Sequence, residues 1–263
     1  MRTADLLKPS PGLRVLISGA ATGIGAAIAQ AFLEVGSNVY ICDIDPAAVD
    51  KAKTDNPQLH VGVADVADRE QVDRIVDDAH AKLGGLDILI NNAGIAGPTG
   101  AVEDMDADQW DRTITTNLNS QYYFLRKAVP VLKKTSSDPC IIAMSSVAGR
   151  LGYPYRTPYA STKWAIVGLV KSLAIELGPN NVRVNAILPG VVEGERMNRV
   201  ISARADALGV SFDTMKGEYL EKISLRRMVT VQDIAALTLF LASPAGRNIS
   251  GQAISVDGNV EYL

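Results

Sequence analysis

Tyr159 and Lys163 stand four residues apart in Tyr159-Ala160-Ser161-Thr162-Lys163. On a helix this spacing brings both side chains to one face. A phenol with its ordinary pKa of about 10 is a poor base at neutral pH, but a neighbouring ammonium stabilises the phenolate. Lowering the pKa from 10 to about 7 takes about 4 kcal/mol of preferential stabilisation, within reach of a desolvated site holding a second positive charge. A phenol tuned in this way can exchange a proton with an alcohol or carbonyl oxygen. Tyr-x-x-x-Lys also arises often by chance, as a surface pair. What lies upstream gives it weight.

The elements that would position this pair begin near the N-terminus. Arg14-Val15-Leu16-Ile17-Ser18 reads as a buried strand, followed by Gly19-Ala20-Ala21-Thr22-Gly23-Ile24-Gly25 and a helix pattern over Ala26–Leu33. Strand, glycine-rich turn and helix aim backbone N–H groups and a helix N-terminus at a pyrophosphate. The G-x-x-x-G-x-G spacing differs from the G-x-G-x-x-G fingerprint, and taken alone it also reads as an ordinary turn. The next strand, Asn38–Cys42, ends on Asp43, roughly twenty residues past the turn, where an acid accepts hydrogen bonds from ribose hydroxyls. A carboxylate there repels a 2′-phosphate, and Ala20 and Ala21 offer no compensating cation, so NAD is expected over NADP.

Gly19-x-x-x-Gly23-x-Gly25, Asn91-Asn92-Ala93-Gly94, Tyr159-x-x-x-Lys163 and Pro189-Gly190 occur in one order along the chain. Together they resemble the short-chain dehydrogenase/reductase family, in its order and at its spacings, over nearly the whole sequence. The resemblance implies a catalytic set of Asn117, Ser146, Tyr159 and Lys163. Ser146 would hold the substrate oxygen beside the tyrosine; Ser145 is its rival, but Val147-Ala148-Gly149 aligns better with Ser146. Asn117 lies inside a long helix, where asparagine is a mediocre helix former. Read without the resemblance, it is a solvent-facing residue; the resemblance implies a kink and a water that relays protons from Lys163.

The resemblance also implies a cofactor groove. Its residues would be Gly19, Thr22, Gly23, Ile24, Gly25 and Asp43, with Asp65-Val66 at the adenine and Asn92, Ala93 and Gly94 along the floor. Tyr159, Lys163, Pro189, Gly190 and the backbone of Val192 would complete it. One position departs from the family pattern: Gly194 stands where a threonine is usual, so a hydrogen bond to the cofactor is lost or comes from Glu195 or a backbone group. Tyr153, Tyr155 and Arg156 precede Tyr159 without a lysine four residues on, and read as pocket wall or surface. Tyr153 is carried forward as a substrate contact.

The 263 residues fit one α/β domain spanning 1–263. Apolar residues make up 47% and charged ones 21%, ordinary for a globular protein. A net charge of −3 argues against nucleic acid or an anionic membrane as general partners. No apolar run reaches the length of a spanning helix, and the first dozen residues lack a signal-peptide core, so a cytoplasmic location is expected. Cys42 and Cys140 suggest no disulfide framework, and His60 and His80 no metal cluster.

Further strands are expected over Gln58–Val63, Leu86–Ile90, Cys140–Met144, Val182–Leu188 and Ala253–Val256. Helices are expected over Arg69–Leu83, Ala107–Leu132, Tyr159–Leu177 and Gln232–Ala242, with a kink or frayed turn near Pro130. The alternation predicts a doubly wound, Rossmann-like parallel sheet of about seven strands. The stretch 192–223 is the least regular and is expected to form a substrate lid. Its Arg196 and Arg199 share an i, i+3 face and could grip an anionic group, or simply form a solvated face. The activity expected is hydride transfer between NAD and a small polar secondary alcohol, in the oxidising direction. A ketone or 3-oxoacyl reductase and a non-catalytic NAD(H)-binding protein are the alternatives. Proteins resembling this one pair through their long helices, so a homodimer or homotetramer is expected.

Overall fold

Short, almost wholly apolar strands must be covered on both faces, and the alternation of strand and helix along the chain supplies the cover. A computed structural model describes residues 2–262. Its seven strands are β1 (Arg14–Ser18), β2 (Asn38–Asp43), β3 (His60–Val63), β4 (Ile88–Asn91), β5 (Cys140–Met144), β6 (Arg183–Pro189) and β7 (Ala253–Val256). All pair in parallel, in the order β3-β2-β1-β4-β5-β6-β7. The chain is a doubly wound, Rossmann-like α/β fold. Strand order reverses between β1 and β4, and the crevice beyond the carboxyl ends at such a switch point is where this architecture binds ligands.

Alternation along β1 divides the core. Leu16 belongs to a layer with Val72, Ile75 and Val76 of α3 (Arg69–Leu83), Phe124 and Leu132 of α5 (Ser120–Thr135), and Ile166 and Val170 of α6 (Thr157–Leu177). Val15 and Ile17 face the other layer, with Ile28 and Phe32 of α1 (Gly23–Glu34) and Ile234 and Leu241 of α9 (Val231–Ala242). At the sheet end away from the crevice, the Arg14 guanidinium forks onto Asp87, with Nε–Oδ2 at 2.8 Å and Nη2–Oδ1 at 2.7 Å, and also donates to the Thr135 carbonyl. One residue thereby ties β1, the start of β4 and the end of α5 together.

Three differences from the sequence reading have clear causes. A helix α2 (Pro46–Asp55) was not foreseen; the Asp45 carboxylate caps it by accepting from the Ala47 and Ala48 amides, with Pro46 at its first position. The long helix is two, α4 (Ala107–Ile114) and α5, joined by a π-helical turn over Thr115–Asn119. The break comes there and not at Pro130, beyond which α5 continues to Thr135. The stretch 192–223 is mostly regular: α7 (Glu195–Leu208) and α8 (Phe212–Glu221) are joined at Gly209, whose φ is +68°. Ile201, Ala205, Met215 and Tyr219 pack there with Val191, Ile223 and Val260 as a separate small core. The many charges in this stretch mask that apolar stripe in the sequence. No helix among the described residues is long and apolar enough to cross a membrane.

Candidate active site

The first turn of α6 carries Tyr159 and the next carries Lys163, so the sequence spacing becomes a shared face. The Lys163 Nζ lies 5.5 Å from the Tyr159 ring centroid and donates to the Met144 carbonyl at the end of β5, 2.8 Å away. Ser145 and Ser146 follow that strand with opposite tasks. The Ser145 hydroxyl donates to the Lys163 carbonyl at 2.8 Å and pins α6, whereas the Ser146 hydroxyl accepts from the Ala148 amide at 3.2 Å and lies close enough to Tyr159 to favour its phenolate. Gly149 keeps this approach close: a Cβ there would lie 2.7 Å from the Lys163 carbonyl oxygen.

Burial pushes the Tyr159 pKa up, but the opposing effects win and the net displacement is downward. Lys163 is the largest of these, followed by Arg196, the Ser146 hydroxyl and Arg156. Lys163 is itself pulled down, first by burial and also by Arg196, against the raising effect of Tyr159. A phenol poised among cations at the mouth of a sheet is equipped to take a proton from an alcohol or give one to a carbonyl oxygen.

Asn117 sits in the π-helical turn and is fully buried, which removes the solvent-facing alternative. Its Oδ1 accepts from the Ile95 amide at 2.7 Å, and its Nδ2 donates to the Ile95 carbonyl at 3.0 Å and the Thr162 hydroxyl at 3.3 Å. One side chain thus joins the loop after β4 to α6.

On the other side of the switch point the site is made of backbone. A Cβ on Gly25 would lie 2.6 Å from the Ala20 Cα and 2.7 Å from the Asn92 Nδ2, and one on Gly19 2.7 Å from the Ala93 Cα. A Cβ on Gly23 would meet nothing within 4 Å, so open space lies beside the turn. Thr22 begins α1 without a side-chain cap, which leaves the first amides, including that of Ile24, to a ligand. Asn92 braces the turn by donating to the Ser18 and Gly19 carbonyls. The Asp43 carboxylate, at the end of β2, accepts from the Ala21 and Ile44 amides. Asp65 caps its own turn through the Ala67 amide and pairs with Arg112 at 2.9 Å, while Val66 beside it is buried.

Gly94 faces both catalytic candidates: a Cβ there would lie 3.2 Å from the Asn117 Oδ1 and 3.6 Å from the Lys163 Nζ. Pro189 closes β6, and a Cβ on Gly190 would lie 2.6 Å from the Asp257 Cβ. Val192 bridges to Val229, and Gly194, at φ +132°, begins α7 with no side chain to cap it. Glu195 is exposed, with Arg199 as its neighbour at 4.0 Å. The groove from Gly19 to Gly190 has what a dinucleotide needs: open space and uncapped amides at the glycine turn, the Asp43 carboxylate at the end of β2 and the Lys163 ammonium beside Tyr159.

The structure parts the two lid arginines. Arg196 is close enough to act on both Tyr159 and Lys163, while Arg199 is exposed beside Glu195. It also adds Arg156, which is buried, lies 5.0 Å from the Tyr159 ring centroid and donates to the Ala96 carbonyl at 2.7 Å. In the sequence its only signal was its place immediately before the tyrosine helix. Tyr153 meets Tyr159 edge to face at 6.5 Å and hydrogen-bonds the Tyr219 hydroxyl of α8 at 2.7 Å.

The family described as "Enoyl-(Acyl carrier protein) reductase" matches residues 19–260. The chain is 36% identical to a trans-4-hydroxycyclohexanecarboxylate dehydrogenase of Sinomonas cyclohexanicum, over 92% of this chain and 90% of that protein. It is 34% identical to the 3-oxoacyl-[acyl-carrier-protein] reductase of Chlamydia muridarum, over 93% and 96%. This chain belongs to the short-chain dehydrogenase/reductase family. A solved relative, an NAD+-bound xylitol dehydrogenase, superposes with a TM-score of 0.91 at 26% identity, covering 95% of this chain and 99% of that one. A short-chain dehydrogenase/reductase is an oxidoreductase, and the dinucleotide groove here is that of a nicotinamide cofactor.

Proposed function

We propose that this protein is an NAD-dependent dehydrogenase of small polar secondary alcohols, of polyol, sugar or hydroxy-acid type. The observation that carries the reading is the Tyr159 phenol at the switch-point crevice, with Arg156 5.0 Å and Lys163 5.5 Å from its ring centroid and its pKa lowered by Lys163 and Arg196. In oxidation Tyr159 removes the hydroxyl proton, Ser146 orients the substrate oxygen, and Lys163 stabilises the phenolate and holds the nicotinamide ribose. Asn117 keeps a path open for the proton to leave. The nicotinamide supplies hydride acceptance at its ring. Asp43 supports NAD over NADP, because its carboxylate stands where a 2′-phosphate would sit. The NAD+-bound xylitol dehydrogenase among the structural relatives supports the same cofactor and the oxidising direction.

The helices α7 and α8, with their own small core, are the proposed lid that excludes water during hydride transfer. Similarity to the 3-oxoacyl reductase favours a second reading, reduction of a 3-oxoacyl group on the same scaffold. The charged face of α7 is poorly suited to a long acyl chain. We further propose a homodimer or homotetramer built through α5 and α6, on which Tyr122, Trp164 and Ile175 are exposed apolar groups; light scattering showing only a 28.0 kDa monomer at micromolar concentration refutes it.

The decisive experiment is a screen of polyols, sugars, hydroxy acids and cyclic alcohols with NAD and NADP, followed by initial rates over pH. Turnover of alcohols with NAD is the expected result. Binding of NADH with no turnover of any alcohol or ketone would leave the non-catalytic alternative.

A further inference from the structure

Arginines that are not exposed normally face carboxylates, because an unpaired guanidinium taken out of water is costly. Of the four such arginines here, Arg14 faces Asp87 and Arg183 faces Asp138. The other two, Arg156 and Arg204, have no carboxylate partner among the described residues, and both lie beside the catalytic tyrosine's neighbour, Tyr153. Arg156 stands 5.1 Å from the Tyr153 ring centroid and Arg204 stands 5.6 Å from it. Arg204 also lies 5.5 Å from the Tyr219 ring centroid. Lys163, Tyr159, Arg156, Tyr153, Arg204 and Tyr219 therefore form an alternating column of cations and rings that leads from the reacting phenol into the lid.

The hydrogen bonding of Arg204 leaves its Nε unused. Its Nη1 donates to the Tyr219 hydroxyl at 3.3 Å, and that hydroxyl is joined to Tyr153 at 2.7 Å. Its Nε is buried with no partner. The Nε–Nη2 edge is the one with which a guanidinium grips a carboxylate through two parallel hydrogen bonds. Cation–π attraction to two rings, at 5.6 and 5.5 Å from their centroids, holds the guanidinium before any ligand arrives. Arg156 likewise has a buried Nε with no partner, but its Nη2 is committed to the Ala96 carbonyl at 2.7 Å.

We propose that Arg204 anchors a carboxylate on the substrate, so that the natural substrate is a hydroxy acid whose acid group is separated from the reacting carbinol by several carbons. The inference rests on the dehydrogenase reading above for the word substrate; the anion site itself does not. Arg204 is 5.6 Å from the Tyr153 ring centroid, which is itself 6.5 Å from the Tyr159 ring centroid, and a 2-hydroxy acid is expected to be too short to touch both Arg204 and Tyr159. Sugars and polyols, which carry no charge, would leave the guanidinium unpaired.

The test has a binding arm and a turnover arm. In the first, cyclohexanecarboxylate and cyclohexanecarboxamide are titrated into the enzyme–NADH complex and followed by NADH fluorescence. The carboxylate should bind at least tenfold more tightly; Arg204→Gln should erase that preference, and Arg204→Lys should retain part of it. NADH affinity should stay unchanged in both variants, and each should still melt in a single cooperative transition. Equal binding of the two probes, no binding of the carboxylate, or a preference that survives Arg204→Gln overturns the anchor. In the second arm, 5-hydroxyhexanoate should outrun both 2-hydroxyhexanoate and 5-hydroxyhexanamide in kcat/KM with NAD, with the difference mainly in KM. Turnover of neutral alcohols without any carboxylate preference keeps the dehydrogenase and removes the anchor. Tight carboxylate binding with no turnover of any alcohol keeps the anchor and removes the dehydrogenase.

Discussion

The two halves of the crevice are built from different materials. Around β1, β2 and β4 the groove is lined with backbone and packed so tightly that Gly19 and Gly25 cannot carry a side chain, and Gly190 closes the same groove from the end of β6. In α7 and α8 the reverse holds: Gly194, Gly209 and Gly217 all face open space, and the groups nearest Tyr159 and Tyr153 are long side chains, Arg196, Arg204 and Tyr219. A cofactor of constant shape can be met by rigid backbone. A substrate is met by side chains whose replacement leaves the sheet untouched. The cofactor half should therefore fail abruptly on mutation and the lid half by degrees.

The sharpest break lies at the boundary of the two. Tyr159→Phe removes only the oxygen that handles the proton, so kcat should fall about a thousandfold, about 4 kcal/mol, while NAD affinity stays within about twofold. Initial rates and a cofactor titration check this; retention of more than about a tenth of the wild-type rate would show that the phenol is not the proton carrier.

Next in size is Gly25→Val. The new side chain must displace Ala20 and Asn92, so NAD affinity should weaken by about a hundredfold or the thermal melt should drop visibly, since overpacking costs about 1–3 kcal/mol. A substitution at Gly217, which faces open space, should show neither effect.

A gentler probe of the same half is Asp43→Ala, which leaves the fold in place and removes the charge. The ratio of kcat/KM for NAD over NADP, expected to exceed about tenfold in the wild type, should fall by about that factor, about 1.4 kcal/mol. If purified wild-type protein uses NADP as well as NAD, the assignment of Asp43 is wrong.

The smallest effect belongs to the lid. Oxidation requires the phenolate, so kcat/KM should rise with pH and level off above an apparent pKa that lies below the ordinary phenol value of 10.0. Arg196 favours the phenolate, so Arg196→Gln should carry the rising limb to higher pH while the high-pH plateau changes little. A profile that does not move would place Arg196 outside the electrostatic reach of Tyr159.

Local spacing alone determined the parallel sheet, the glycine turn, Asp43 at the end of β2 and the shared face of Tyr159 and Lys163. Each depends on residues a few positions apart, or on an apolar period that a single element expresses. The sequence could not rank Ser145 against Ser146 on its own terms; the two differ only in which neighbour each hydroxyl finds, Lys163 or Tyr159. The kink at Asn117 was implied by the family resemblance, but residue pattern alone pointed to Pro130, because the break is stabilised by hydrogen bonds to Ile95 and Thr162 from distant segments. The column of Arg156, Tyr153, Arg204 and Tyr219 lay beyond it altogether. Those residues come from a loop and two separate helices, and nothing in their spacing records that their charges lack partners until the chain is folded.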